Sequence, residues 1–484
     1  MKFTSRGLEL VLGLGAASLV VHTAATAADD SKCPALTTSY PAPVSSDGWQ
    51  YQLVANNLTT PRGIAFDSNG GLLVVQQGHG IVHLQFTDGG STCVGLAKKT
   101  YLINSTDLTH GIALSNDGNT LYASSWEAVY AWSYNAKDVT VSAENRTVIN
   151  GMSNVDHTTR TLLMSQTEPG MLVVSRGGSE NVDPDAAILS SGHSQIKAFD
   201  VSNLTSSSSP YNFDTAGRLL GWGLRNSVGV GEEPTTGGIY SVENSVDQIE
   251  RNGVDIHQDN PGEEMNYHGF LNGSTENQGG NYGFPTCFAV WGTSGLGGLT
   301  VGEQFSMDPN STLNDTTCAT QFVPPRLTFE AHMAPLDIKF LSNGTEAFVT
   351  FHGSWDRNSP VGYKISTVAF ANGSPVPAAS STDGTRDIFT NADNSNCPGQ
   401  CFRPVALAFD TQGRLFVSSD ATGEVYILVH TGNSTRSTTT TTSTSSSSSS
   451  TSTGHSGDAA STSASRTNVV LLGVITSLVA FAFL

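Results

Sequence analysis

Six times between residues 61 and 417 the chain repeats one unit: a short apolar strand, a tight polar turn and a second apolar strand. The first runs Pro61-Arg62-Gly63-Ile64-Ala65-Phe66, turns at Asn69-Gly70-Gly71 and continues Leu72-Leu73-Val74-Val75. The unit returns at His110–Ala123, Thr161–Val174, Asn226–Tyr240, Leu336–Val349 and Arg403–Val417, each time turning on Asp, Asn, Gln, Pro or Gly. Such turns are the chemistry of a β-hairpin. Most copies are followed by a third apolar run, such as Ile81-Val82-His83-Leu84 or Val425-Tyr426-Ile427-Leu428. A self-similar unit at this interval buries its faces against copies of itself, and closing such copies into a ring leaves few exposed edges. We therefore expect an all-β fold, a six-bladed β-propeller over residues 28–432, with an insertion at about 255–323 between the fourth and fifth units. A β-sandwich also spaces strands regularly, but six alignable repeats favour the ring.

The ends carry addresses rather than fold. Lys2 and Arg6 precede an apolar run at 8–21, and Ala25-Thr26-Ala27 supplies the small residues of a cleavage site, so residues 1–27 read as a signal peptide. Residues 433–466 form a Ser/Thr-rich stalk, and the apolar tail of 467–484, with small residues near Gly457 and Asp458 upstream, reads as a GPI-type signal. A single membrane-spanning anchor is the other possibility; the short tail with no basic residue beyond it favours GPI. Ten Asn-x-Ser/Thr sequons agree with a secreted, cell-surface glycoprotein. The six cysteines should pair in that compartment, and their order suggests Cys33–Cys93, Cys287–Cys318 and Cys397–Cys401. A net charge of −19 excludes a nucleic-acid partner, which needs a basic face.

In a propeller, equivalent positions of all blades converge at the channel. The residues entering the first strands here are Arg62, His110, His157 with Arg160, Arg225 with Asn226, and Arg403; the fifth unit adds His352, Trp355, Asp356 and Arg357 after its second strand. Only 23 residues of the chain are Lys or Arg, so this concentration is not compositional. Converging guanidinium groups suit a ligand with several carboxylates. His157 beside cations should stay neutral, as a general base requires.

The order Asp156-His157, Gly221-Trp222-Gly223-Leu224-Arg225-Asn226, Glu243-Asn244 and Gly279-Gly280-Asn281-Tyr282-Gly283-Phe284-Pro285 resembles the soluble glucose/sorbosone dehydrogenases, six-bladed enzymes dependent on pyrroloquinoline quinone (PQQ). The runs Asp255–Asn266 and Phe351–Arg357 are similar to the sorbosone-type and fungal pyranose dehydrogenase branch. The resemblance implies PQQ and Ca²⁺ as cofactors and His157 as the base on a sugar hydroxyl. It implies Arg225 near the quinone carbonyl, and Arg62, Arg225, Asn226, His352 and Arg403 around the cofactor. His110 and Trp355 fall on the substrate side, and the backbone carbonyls of Asn244 and Ser245 on the calcium ion. Where the glucose enzymes carry a Gly-Pro pair, a glutamine and a lysine, this chain has Asn244-Ser245, His110 and His352 or Trp355. No haem-attachment Cys-x-x-Cys-His is present, so electrons would pass to an external acceptor such as a haem or copper redox protein. Two other readings stay open on residues alone: a lactonase-type hydrolase, which would want carboxylates in the channel, and a non-catalytic surface module binding glycan or protein.

Overall fold

The computed structural model describes residues 33–432 except positions 155, 206 and 274. The signal peptide, the stalk and the GPI-type tail lie outside the described residues. No helix among those described is long and apolar enough to cross a membrane.

Six sheets account for most of the chain, four of four strands and two that extend the same antiparallel four-stranded core to six strands. Their first strands are Pro61–Phe66, Leu108–Leu114, Leu162–Met164, Gly229–Glu232, Pro335–Phe340 and Pro404–Phe409, and each packs against the first strands of its two neighbours, the sixth against the first. The fold is thus the expected six-bladed β-propeller. Blade six is completed by the N-terminal strand Trp49–Ala55, which pairs antiparallel with Glu424–His430 and so joins the two ends of the ring.

Stacked blades leave their inner strands with no solvent face. Leu72, Leu73, Val74 and Val75 are all fully buried, although alternate ones point to opposite sides of the sheet. One set packs towards blade six with Ile64 and Phe416, the other towards blade two with Ile112 and Leu121. The same division recurs around the ring, so that each pair of neighbouring blades shares one apolar cluster. Outer strands are different: Val94–Asn104 is largely exposed along its middle.

Residues 255–323 do not lie between blades, contrary to expectation. Glu263–Phe270 within them is the third strand of blade four, and Leu327–Phe329 is its fourth. The excursion proper joins those two strands. It carries a hairpin, Cys287–Ala289 with Gln304–Ser306, and a short helix, Asp315–Gln321, capped by the Asn314 side chain. Its own core of Phe284, Phe288, Val290 and Phe305 packs on Ala186, Val246 and Ile249, which belong to the loops of blades three and four. All three expected disulfides form, and Cys287–Cys318 ties the excursion's hairpin to its helix.

Candidate active site

In an antiparallel blade the start of the first strand and the end of the second lie at the same end of the sheet. Residues entering first strands therefore meet the loops that follow second strands. At that end a cavity of about 250 Å³ is lined by His157, Arg225, Asn226, Asn244, Ser245, His352, Trp355 and Arg403, together with Asp247, Glu263, His332 and Asp356. The sequence brings the first eight together. Arg62 and His110 are not among the lining residues. Both are buried on first strands, and His110 sits close to the charges of Arg62, Lys339 and Asp420.

The loop carrying His157 is fastened from inside. Arg160 donates to the carbonyls of His157 and Thr159 at 2.7 and 2.6 Å and to Met152 at 2.6 Å. Its side chain is spent on the loop, so it is a strut and not a ligand group. His157 Nδ1 lies 2.8 Å from the Gly178 carbonyl. A carbonyl only accepts, so the proton is on Nδ1, and Nε2 keeps its lone pair with no described residue bonded to it. Burial, then the Arg225 charge, push the imidazole down to about 4. Gly177 makes the close approach possible, because a Cβ there would come within 2.8 Å of both His157 Cβ and Asn226 Oδ1.

Arg225 is less available than expected. Nε and Nη2 donate to the main-chain and side-chain oxygens of Asn181 at 3.0 and 2.7 Å, Nη2 also to Asp247 at 3.0 Å, and Nη1 to the Asn244 carbonyl at 3.2 Å. Four of its five N–H groups are therefore used within the protein. Its peptide N–H donates to Glu243 at 2.6 Å. The Asn244 carbonyl, expected as a metal ligand, is already an acceptor for this guanidinium. Arg403 is freer: it spends two N–H groups on His352, at its carbonyl (3.3 Å) and Nδ1 (3.0 Å). His352 in turn donates from Nε2 to Asp420 at 2.8 Å, and Asp420 takes Arg62 Nη1 at 2.7 Å. Burial opposes its charge, yet His352 and Arg62 hold the Asp420 carboxyl well below the ordinary range. Arg62 thus reaches the cavity through Asp420 and His352.

Sequence reasoning singled out Asp356 but missed Asp247, Glu263 and His332. Glu263 is buried, accepts the Ser245 and Ala334 N–H groups at 2.7 and 3.1 Å, and is pushed by burial up to about 8. Asp247 is likewise raised by burial, against the Arg225 charge. The Asp356 side chain is buried, and neither of its oxygens has a hydrogen-bond partner among the described residues. The Asp356 motif was visible, but its neighbours Asp247 and His332 come from other segments and share no spacing with it. The cavity is therefore mixed. Arg403 with its three uncommitted N–H groups fits an anionic, carboxylate-bearing cofactor, and the orphaned carboxylate of Asp356 fits a cation.

A family model described as TrAA12-like matches residues 43–431. A PQQ-dependent sugar dehydrogenase of Hypocrea jecorina (strain QM6a) is 54% identical over 400 residues, covering 81% of this chain and 90% of that protein. A PQQ-dependent pyranose dehydrogenase of Coprinopsis cinerea is 36% identical over 402 residues, or 79% of this chain; the match spans 54% of that longer protein. Among solved structures, the calcium structure of a Trichoderma reesei carbohydrate-active enzyme of family AA12 superposes with a TM-score of 0.80 at 54% identity, covering 82% of this chain and 99% of that one.

Proposed function

This chain belongs to the TrAA12-like family and is a PQQ-dependent sugar dehydrogenase, and from that premise we propose that the cavity holding His157 is where a sugar hydroxyl is oxidised. The observation that carries the reading is the tautomer of His157: its proton is tied to Gly178, and its basic nitrogen, at the cavity wall, has no partner among the described residues. A neutral imidazole so placed takes the proton of a sugar hydroxyl as the C–H electron pair departs. PQQ when bound supplies the hydride acceptor, and Ca²⁺ the Lewis acid beside it. Arg403 would hold the cofactor's carboxylates, with His352 and Asn226 beside it, and Arg225 would offer its remaining N–H to developing negative charge. The Ser245 carbonyl would serve the cation, and the Asn244 carbonyl would do so in competition with Arg225. Trp355, 61% exposed at the cavity, offers an apolar face on which a pyranose or ketoaldose ring can stack.

The enzyme works outside the cell in this reading, displayed on the surface by a stalk and a GPI-type anchor. Of the nine described sequon asparagines, eight are exposed and Asn314 is half-buried, as glycosylation requires. Electrons pass to an external acceptor, a haem or copper redox protein. The test is to add PQQ and Ca²⁺ to the purified full chain, record the quinone spectrum and assay dye reduction with a panel of aldoses, ketoses and sorbosone. Sugar-dependent reduction that requires PQQ supports the proposal; neither bound quinone nor reduction with any sugar would sink it.

A further inference from the structure

Gly177 and Gly178 follow Arg176 at the end of blade three's second strand, and the Gly178 peptide is held on both sides. Its N–H donates to the Arg225 carbonyl at 2.8 Å. Its carbonyl accepts His157 Nδ1 at 2.8 Å and Asn154 Nδ2 at 3.0 Å, one donor for each lone pair. Asn154 Nδ2 also donates to the Gly177 carbonyl at 2.7 Å. The amide has only one orientation open to it. Its Oδ1 accepts Arg176 Nε–H at 3.2 Å, and a guanidinium only donates. Arg176 is itself pinned, with Nη1 on Asp214 at 2.8 Å and Nη2 on the Ser153 carbonyl at 3.1 Å. Asn154 is buried and is not among the residues lining the cavity. An unbroken chain of hydrogen bonds thus runs from Asp214 through Arg176, Asn154 and Gly178 to the imidazole at the cavity wall.

We propose that Asn154 is a positioning residue for the oxidation: by fixing the Gly178 carbonyl it sets which nitrogen of His157 carries the proton and where the other nitrogen points. This rests on the reading of His157 as the base. A carbonyl held by His157 alone is free to swing, because two successive glycines restrain the backbone least. The ring would then turn with it, or pass its proton from one nitrogen to the other. Asn154 removes that freedom by tying both glycine carbonyls to the loop that carries His157. The restraint matters because the lone pair must meet the sugar hydroxyl at hydrogen-bond distance and in line. Asn154→Asp separates the two ends of the amide. It keeps an acceptor for Arg176 and puts an oxygen, with no proton to give, against the two carbonyls.

The experiment has two arms. In the first, the full chain, labelled with ¹⁵N-histidine and free of PQQ, is titrated by NMR, the His157 signal being the one missing from His157→Ala. The parent should hold the Nδ1–H form and protonate only at about pH 4, as burial and the charges of Arg225, Asp156 and Arg160 dictate. Asn154→Asp, and Asn154→Ala, which adds no charge, should both mix the two tautomers and move protonation upward by about one pH unit or more. In the second arm, parent and variants are loaded with PQQ and Ca²⁺. Both variants should bind quinone within a few-fold of the parent, lose about tenfold or more in kcat and carry the acid limb of kcat/KM upward by the same interval. A merely structural role would lower the unfolding midpoint and leave the tautomer and titration of His157 unchanged, and that result overturns the proposal. Unchanged His157 signals beside undiminished sugar oxidation would discard Asn154 and leave the dehydrogenase standing. A parent that reduces dye with no sugar would defeat the dehydrogenase reading, while the NMR arm would still decide whether Asn154 fixes His157.

Discussion

At the scale of single residues, the account turns on which nitrogen or oxygen is already spoken for. His157 owes both its tautomer and its low basicity to its surroundings: the Gly178 carbonyl fixes the proton, while burial and Arg225 keep the ring uncharged down to about pH 4. The sign follows directly. Lowering the pH below neutrality leaves the base functional until protonation near 4, so kcat/KM for sugar should stay level from about pH 7 to pH 5 and fall only below that. A pH–rate profile checks this, and an acid limb centred near the ordinary histidine value of about 6.5 would contradict it. Asp420 is a positioning residue in the same spirit, holding Arg62 and His352 at once. Asp420→Ala leaves a nearly buried arginine without its partner and should cost about 3 kcal/mol in urea unfolding, with weaker PQQ binding as His352 and Arg403 loosen.

Elements bring these groups together, and two positions show how tightly. Gly177 follows the second strand of blade three where the loops of blades three and four touch. Gly177→Ala would drive a methyl group against His157 and Asn226, so we expect a loss of about 1–3 kcal/mol and a larger proportional fall in kcat than in quinone affinity. His268, on the third strand of blade four, is fully buried against Ser241 Oγ at 2.8 Å, and burial pushes it down to about 3. The unfolded chain takes up this proton at about 6.5 and the folded one only near 3. Stability should therefore decline as pH falls through that window, and His268→Gln should flatten part of the decline in pH-dependent unfolding. Element scale also decides what a sequence reader can see. Second strands such as Leu72–Gln76 are apolar on both faces, because blades cover both, and they stand out. Outer strands such as Val94–Asn104 mix exposed and buried positions and do not. The third strand of blade four, Glu263–Phe270, hides for another reason: it has no exposed position, yet Glu263, Glu264, Asn266 and His268 interrupt any apolar run, so it reads as insertion.

For the whole molecule, the repeat count was legible because every blade must solve the same packing problem, whereas the site was legible only in part. Arginine and histidine at strand ends stand out in a chain poor in cations, and four of them, His157, Arg225, His352 and Arg403, line the cavity, whereas Arg62 and His110 do not. Asp247, Glu263 and His332 arrive from a loop, a strand and a turn with no common spacing, and only the closed ring makes them neighbours. Ring closure is itself testable. Trp49–Ala55 supplies the fourth strand of blade six, so a mature chain shortened to begin after Ala55 should lose cooperative thermal unfolding; an unchanged transition would show that the ring does not depend on this closure. The central claim is that His157, at the mouth of this ring, takes the proton from the sugar. The most direct measurement compares parent and His157→Ala, both loaded with PQQ and Ca²⁺, by quinone titration and by sugar-dependent dye reduction. The expected result is quinone affinity within a few-fold of the parent and a fall in kcat of about 10²-fold or more. Turnover retained in His157→Ala, with the quinone bound, would contradict it.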